Sequence, residues 1–75
     1  MKAQYVELID AVATLGSLAA AAKVLGKSQP AITKALKKIE GDLGVVLFHR
    51  VPSGIVPTLE GQTVIDRCRR IQSDL

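Results

Sequence analysis

A chain of 75 residues with a formal net charge of +3 forms one domain at most, and a domain this small buries only about 60% of the surface its unfolded chain exposes. One cysteine, Cys68, rules out an intramolecular disulfide, and one histidine, His49, leaves no Cys and His set at metal-ligand spacing, so neither a metal nor a cofactor is expected. The lone cysteine fits a reducing, cytoplasmic setting, and Gln4, Glu7 and Asp10 interrupt the apolar residues after Lys2, so no signal sequence, membrane span or membrane attachment is expected there.

From Ala3 to Leu15, the residues Val6, Ile9, Val12 and Ala13 recur at helical spacing and predict a first helix ended by Gly16. Ser17 is placed to cap a second helix, in which Leu18, Ala21, Ala22 and Leu25 make one apolar stripe before Gly26. The alanines from Ala19 to Ala22 favour helix and let another helix approach closely, a packing role. Ser28 offers the next N-cap. Pro30 in the first turn costs no hydrogen bond, because those amides have no intrahelical partner. A third helix over 28–43 then carries Ile32, Leu36, Ile39 and Leu43 on one face and Gln29, Thr33, Lys34, Lys37 and Lys38 on the other.

Gly44 ends that helix, and Val45 to His49 reads as a short strand followed by turn signals at Pro52, Ser53 and Gly54. Ile55 and Val56 supply the returning strand, with Pro57 closing the hairpin. Two strands of this size are not stable alone and must rest on the helices as a wing does. Thr58 caps a fourth helix with Glu60 in its first turn, and Gly61 within it suggests that another backbone comes close. Val64, Cys68, Ile71 and Leu75 are spaced like a coiled-coil seam, and the stripe is still running at the last residue. It implies a partner chain or a longer polypeptide. The expected architecture is therefore mainly α: a winged helix-turn-helix of three helices and a two-stranded β wing over 1–57, then a linker and dimerisation helix over 58–75.

Charge is distributed unevenly. Residues 1–16 carry −1 and residues 51–75 are balanced, while Lys23, Lys27, Lys34, Lys37, Lys38 and Arg50 against Glu40 and Asp42 give residues 17–50 a charge of +4. Clustering alone fits either a solvated face or an anionic partner. The second and third helices, joined by a short turn containing Gly26, have the form of a helix-turn-helix, whose second helix reads the DNA major groove. The side chains at the start of that helix suit such a role. Gln29 can pair with an adenine edge, Thr33 can hydrogen-bond a base or touch a thymine methyl, and Lys34 can reach guanine or a phosphate. Ser28 sits at a helix N-terminus that favours a phosphate, a role compatible with plain capping. Lys37 and Lys38 lie further along and are expected on the DNA backbone.

Taken together, Gly16-Ser17-Leu18, Ala21-Ala22, Ser28-Gln29-Pro30-Ala31, the run from Ile39 to Gly44, Leu47-Phe48-His49-Arg50 and Thr58-Leu59-Glu60-Gly61 stand in one order over nearly the whole chain. The sequence resembles the amino-terminal domain of the LysR-type transcriptional regulators of bacteria. This resemblance implies sequence-specific binding of double-stranded DNA by a homodimer paired through the linker helix, on an interrupted palindrome, with a tetramer open to the full-length protein. It assigns Gln29, Pro30, Thr33 and Lys34 to the bases or adjacent backbone, Ser28 and Arg50 to phosphates, and Ser53 and Gly54 to the wing. The family's usual serine and arginine are here Thr33 and Lys34, and lysine lacks the fork that meets guanine at two points. No lysine or arginine lies between Arg50 and Arg67, so the basic wing residue that enters the minor groove in many members has no counterpart. The family's ligand-sensing domain is not within these residues, and no small-molecule ligand is expected for them.

Catalysis finds little support, because no nucleophile, carboxylate pair or Gly-rich phosphate loop accompanies His49. A protein-interaction module is the stronger competitor, since the fourth helix asks for a partner. The outward face of the third helix separates the two readings, as solubility alone does not require Gln29, Thr33 and Lys34 together.

Overall fold

The computed structural model describes residues 2–73. The elements are α1 (Ala3–Leu15), α2 (Leu18–Leu25), α3 (Gln29–Leu43), β1 (Phe48–Val51), β2 (Gly54–Pro57) and α4 (Leu59–Ser73). This is a winged helix-turn-helix, with α1 to α3 as its helical core and β1 and β2 as one antiparallel hairpin.

Buried side chains of α1 are Val6, Leu8, Ile9 and Val12. Leu8 falls outside the stripe expected from spacing, because α1 is covered on more than one side. Gly16 ends it in the left-handed conformation at φ 62°, which strains any residue with a Cβ. Ser17 caps α2, its Oγ accepting from the Ala20 amide at 3.1 Å. Leu18, Ala21 and Ala22 turn inward, and the small alanines let α2 pack against α1. On α3 the buried residues are Ile32, Leu36 and Ile39, whereas Leu43, expected as the last member of that stripe, is exposed at the helix end.

The wing differs from expectation in its boundaries. Pairing runs from Phe48 opposite Pro57 to Val51 opposite Gly54, so the strand expected over Val45 to His49 begins three residues later. Leu47 explains the delay. Its amide donates to Glu40 Oε2 at 2.7 Å, and its carbonyl accepts from the Thr58 amide at 2.9 Å. Both backbone groups are engaged before the ladder can use them. Pro57 does not merely close the hairpin but ends β2 within the ladder. The Ile55 amide donates to the Gly16 carbonyl at 3.2 Å, which seats the wing on the α1–α2 turn.

Thr58 caps α4: its Oγ1 accepts from the Gly61 amide at 2.8 Å and donates to the Val46 carbonyl at 2.6 Å. Gly61 lies against the chain at Leu47, and a Cβ there would stand 1.9 Å from the Leu47 carbonyl oxygen. The close approach suggested by this glycine is therefore present. Further along, Ile65 and Cys68 join the same core cluster as α1, and Arg69 Nε lies 3.5 Å from Asp10 Oδ1. Here the expected α4 seam needs correction. Cys68 has no exposed surface and packs inside its own chain, so it is closed to a second copy. Val64 is half-buried against the core, Ile71 is 38% exposed, and Leu75 lies outside the described residues. The seam's phase was misjudged because the inward stripe of α4 runs through Gly61, Ile65 and Cys68.

Candidate nucleic-acid interface

The N-terminal half of α3 gathers the polar side chains. Ser28 fixes its start, its Oγ accepting from the Ala31 amide at 3.2 Å, while Pro30 stiffens the first turn. Ile32, Leu36 and Ile39 hold the opposite side in the core, which sets the helix rotation. As a result Gln29, Pro30, Thr33, Lys34 and Lys37 line one shallow hollow on the surface. All except the half-buried Thr33 are exposed. This short patch offers an amide, a hydroxyl and two ammonium groups around a proline ring, a set suited to base edges and phosphates.

Lys38 does not belong to it. The sequence placed this lysine beside Lys37 on the outward face, but its Nζ lies 3.5 Å from Asp42 Oδ2, on the flank that faces α1. Asp42 also accepts a hydrogen bond from the Tyr5 hydroxyl. That bond is the main cause holding the Asp42 carboxyl below its ordinary value and the Tyr5 phenol above its own, and Asp42 raises Lys38 in turn. Lys38 thus stands on the α1 flank of α3 beside Asp42, at the edge of the patch and not within it, and the bond that ties α1 to α3 there is Tyr5–Asp42.

In the wing, Arg50 is exposed on β1 opposite Ile55, and Ser53 is exposed at the turn. Gly54 plays a different part. A Cβ built on it would stand 2.4 Å from the Gly16 carbonyl oxygen, so it lets the hairpin press against the helical turn. Glu40 was missed as a positioning residue. An acid in the last turn of a helix opposes the dipole and gains from a nearby donor, but which donor is not readable from local spacing. The Leu47 amide is that donor.

Burial pushes the Cys68 thiol up, with the nearby Asp10 carboxylate adding to the effect, and this disfavours a reactive thiolate. Among the described residues, no group of three or more His, Cys, Asp and Glu side chains is placed to hold a metal ion. None of their helices is long and apolar enough to cross a membrane.

A capped helix pair, an exposed polar patch on its second helix and a hairpin docked beside it define a winged helix-turn-helix module. A family model described as a bacterial regulatory helix-turn-helix protein of the lysR family matches residues 4–62, and the chain belongs to this family of DNA-binding transcription regulators. It is similar to the small neutral protease regulatory protein of Streptomyces coelicolor, 46% identical over 68 residues that make up 91% of this chain and 22% of that protein. It is also similar to the transcriptional regulator TcbR of Pseudomonas sp. (strain P51), 44% identical over 71 residues, 95% of this chain and 24% of that protein. The chain therefore spans about a quarter of the length of these curated relatives. Among solved structures, a crystal structure of a CbnR_DBD–DNA complex superposes with a TM-score of 0.88 at 42% identity, covering 97% of this chain and 84% of that one.

Proposed function

We propose that this chain is the reading head of a transcription regulator that binds double-stranded DNA in a sequence-specific manner, with α3 in the major groove. The observation that carries this reading is the patch of Gln29, Thr33, Lys34 and Lys37 on a helix whose other face is locked in the core. Gln29, Thr33 and Lys34, with Pro30 against them, meet bases and the adjoining backbone, while Ser28, Lys37 and Arg50 hold phosphates. Ser53 and Gly54 bring the wing beside the duplex. Likeness to CbnR, whose DNA-binding domain was solved on DNA at 42% identity to this chain, supports the assignment.

Two copies pair through α4, with the exposed Ile71 and the partly exposed Val64 on the shared side, and bind an interrupted palindrome. Residues 58–75 act as the linker of a longer regulator, whose effector-sensing part and higher assembly lie beyond this module. Such a protein works in the cytoplasm, on the nucleoid. Selecting bound sequences from a random duplex pool tests the whole reading. The expected product is a motif with two inverted half-sites about one helical turn, or a multiple of it, apart. Failure to enrich any motif overturns sequence-specific binding, and a lone half-site overturns the dimer.

A further inference from the structure

A second concavity lies between the N-terminal half of α1, the end of α2 and one flank of α3, with a volume of about 520 Å³. Cavities of roughly 300–1,000 Å³ are of the size that holds bound groups. Its floor is apolar, formed by Leu8, Leu25, Ala31, Ala35 and Ile39. Around it stand Lys2, Lys27 and Lys38, with Glu7 as the carboxylate in the lining. Lys38 is held by Asp42 next to the groove, and Lys2 lies with its ammonium 5.6 Å from the centre of the Tyr5 ring. Lys27 extends from the α2–α3 turn and is exposed.

This groove is distinct from the polar patch. At 100° per residue, Ala31, Ala35 and Lys38 are centred roughly 140° around α3 from the centre of Gln29, Thr33, Lys34 and Lys37, with Lys34 and Lys38 the adjoining edges about 40° apart. An occupant held by Lys2 and Lys27 would leave the centre of that patch uncovered. Basic edges over an apolar floor match a segment with the complementary arrangement.

We infer that the α1–α3 groove docks an acidic polypeptide segment of another protein, whose bulky apolar side chain fills the floor while its carboxylates meet Lys2 and Lys27. The inference does not depend on the DNA-binding reading, because the groove is complete without the patch, but it adds to it: the partner and a duplex can be held together.

The test is to pan a random peptide display library against the chain. Acidic sequences built around a leucine, phenylalanine or tryptophan are expected to enrich; no enrichment, or enrichment without acidic bias, overturns the inference. The leading peptide, labelled with fluorescein, is then followed by anisotropy. The double variant Lys2→Glu/Lys27→Glu should lose about tenfold or more in affinity, and the control Lys23→Glu/Arg67→Glu, with the same change in charge outside the groove, about twofold or less. Equal losses would mean that bulk charge, not the groove, binds the peptide. Peptide affinity should be unchanged when the enriched duplex is present, whereas displacement by a duplex of random sequence would give Lys2 and Lys27 to nucleic-acid backbone and overturn the proposal.

Discussion

Gln29 and Lys38 sit on the same helix, yet they end in different surroundings, because nine residues at 100° each put them on opposite sides of it. Gln29 stands in the first turn, clear of other elements, and its amide is available to a base edge. If it reads an adenine, Gln29→Ala should cost about 1–3 kcal/mol on the selected site and much less on random duplex, as measured by competition titration. Equal losses on both would remove Gln29 from sequence reading. Lys38 was legible as exposed and basic and, at i and i+4, as a neighbour of Asp42, but the bond from Tyr5 that ties α1 to Asp42 joins residues 37 positions apart and was not. Glu40 was hidden for the same reason: its partner, the Leu47 amide, is reached across the turn after α3. Residues whose roles are fixed by helix phase or by capping, such as Ile32, Ser28 and Thr58, could be read directly.

At the scale of elements, helix limits followed from local chemistry, since serine and threonine caps and glycine stops act within a few residues. Strand limits did not. β1 begins where Leu47 releases its backbone from α3 and α4, a tertiary condition with no local signal. Gly61 makes this junction testable. Gly61→Ala drives a methyl into the Leu47 carbonyl and should destabilise the chain by about 1–3 kcal/mol despite alanine's better helix propensity. In a domain of this size each kcal/mol lowers Tm by about 4–8 °C, and calorimetry will read it. An unchanged Tm would show that the α4 start yields easily. The α4 flank that carries Ile71 has its own expectation: if two copies pair there as proposed, Ile71→Asp should leave the fold intact, because Ile71 is partly exposed, and yield monomers that grip half-sites weakly. An unchanged sedimentation profile would exclude α4 around Ile71 as the pairing surface. Of the residues at period four and three on α4, Cys68 faces the core of its own chain, which spacing alone could not show.

For the whole molecule, a charge of +3 is spread over surfaces with different tasks. Lys38 is engaged with Asp42, Lys2 and Lys27 edge the groove, and the wing turn has no cation of its own. Of the other cations, Lys34, Lys37 and Arg50 are the ones on the proposed DNA face of each copy. Counterion release predicts a log–log salt slope of about −5 for two such copies, at about −0.9 per neutralised phosphate. A slope near −10 would require cations from outside this set.

Leu47 has no surface of its own, yet it is where the reading helix, the hairpin and the last helix are fastened to one another. Its amide is taken from one side and its carbonyl from the other, so the start of α4 has little freedom to swivel against α3. The module then behaves as one jaw of a caliper, stiff from its tip to its arm. When two copies are joined along their arms, the gap between the tips is set by how the arms cross, and a change of a few degrees in that crossing alters which half-site spacing fits.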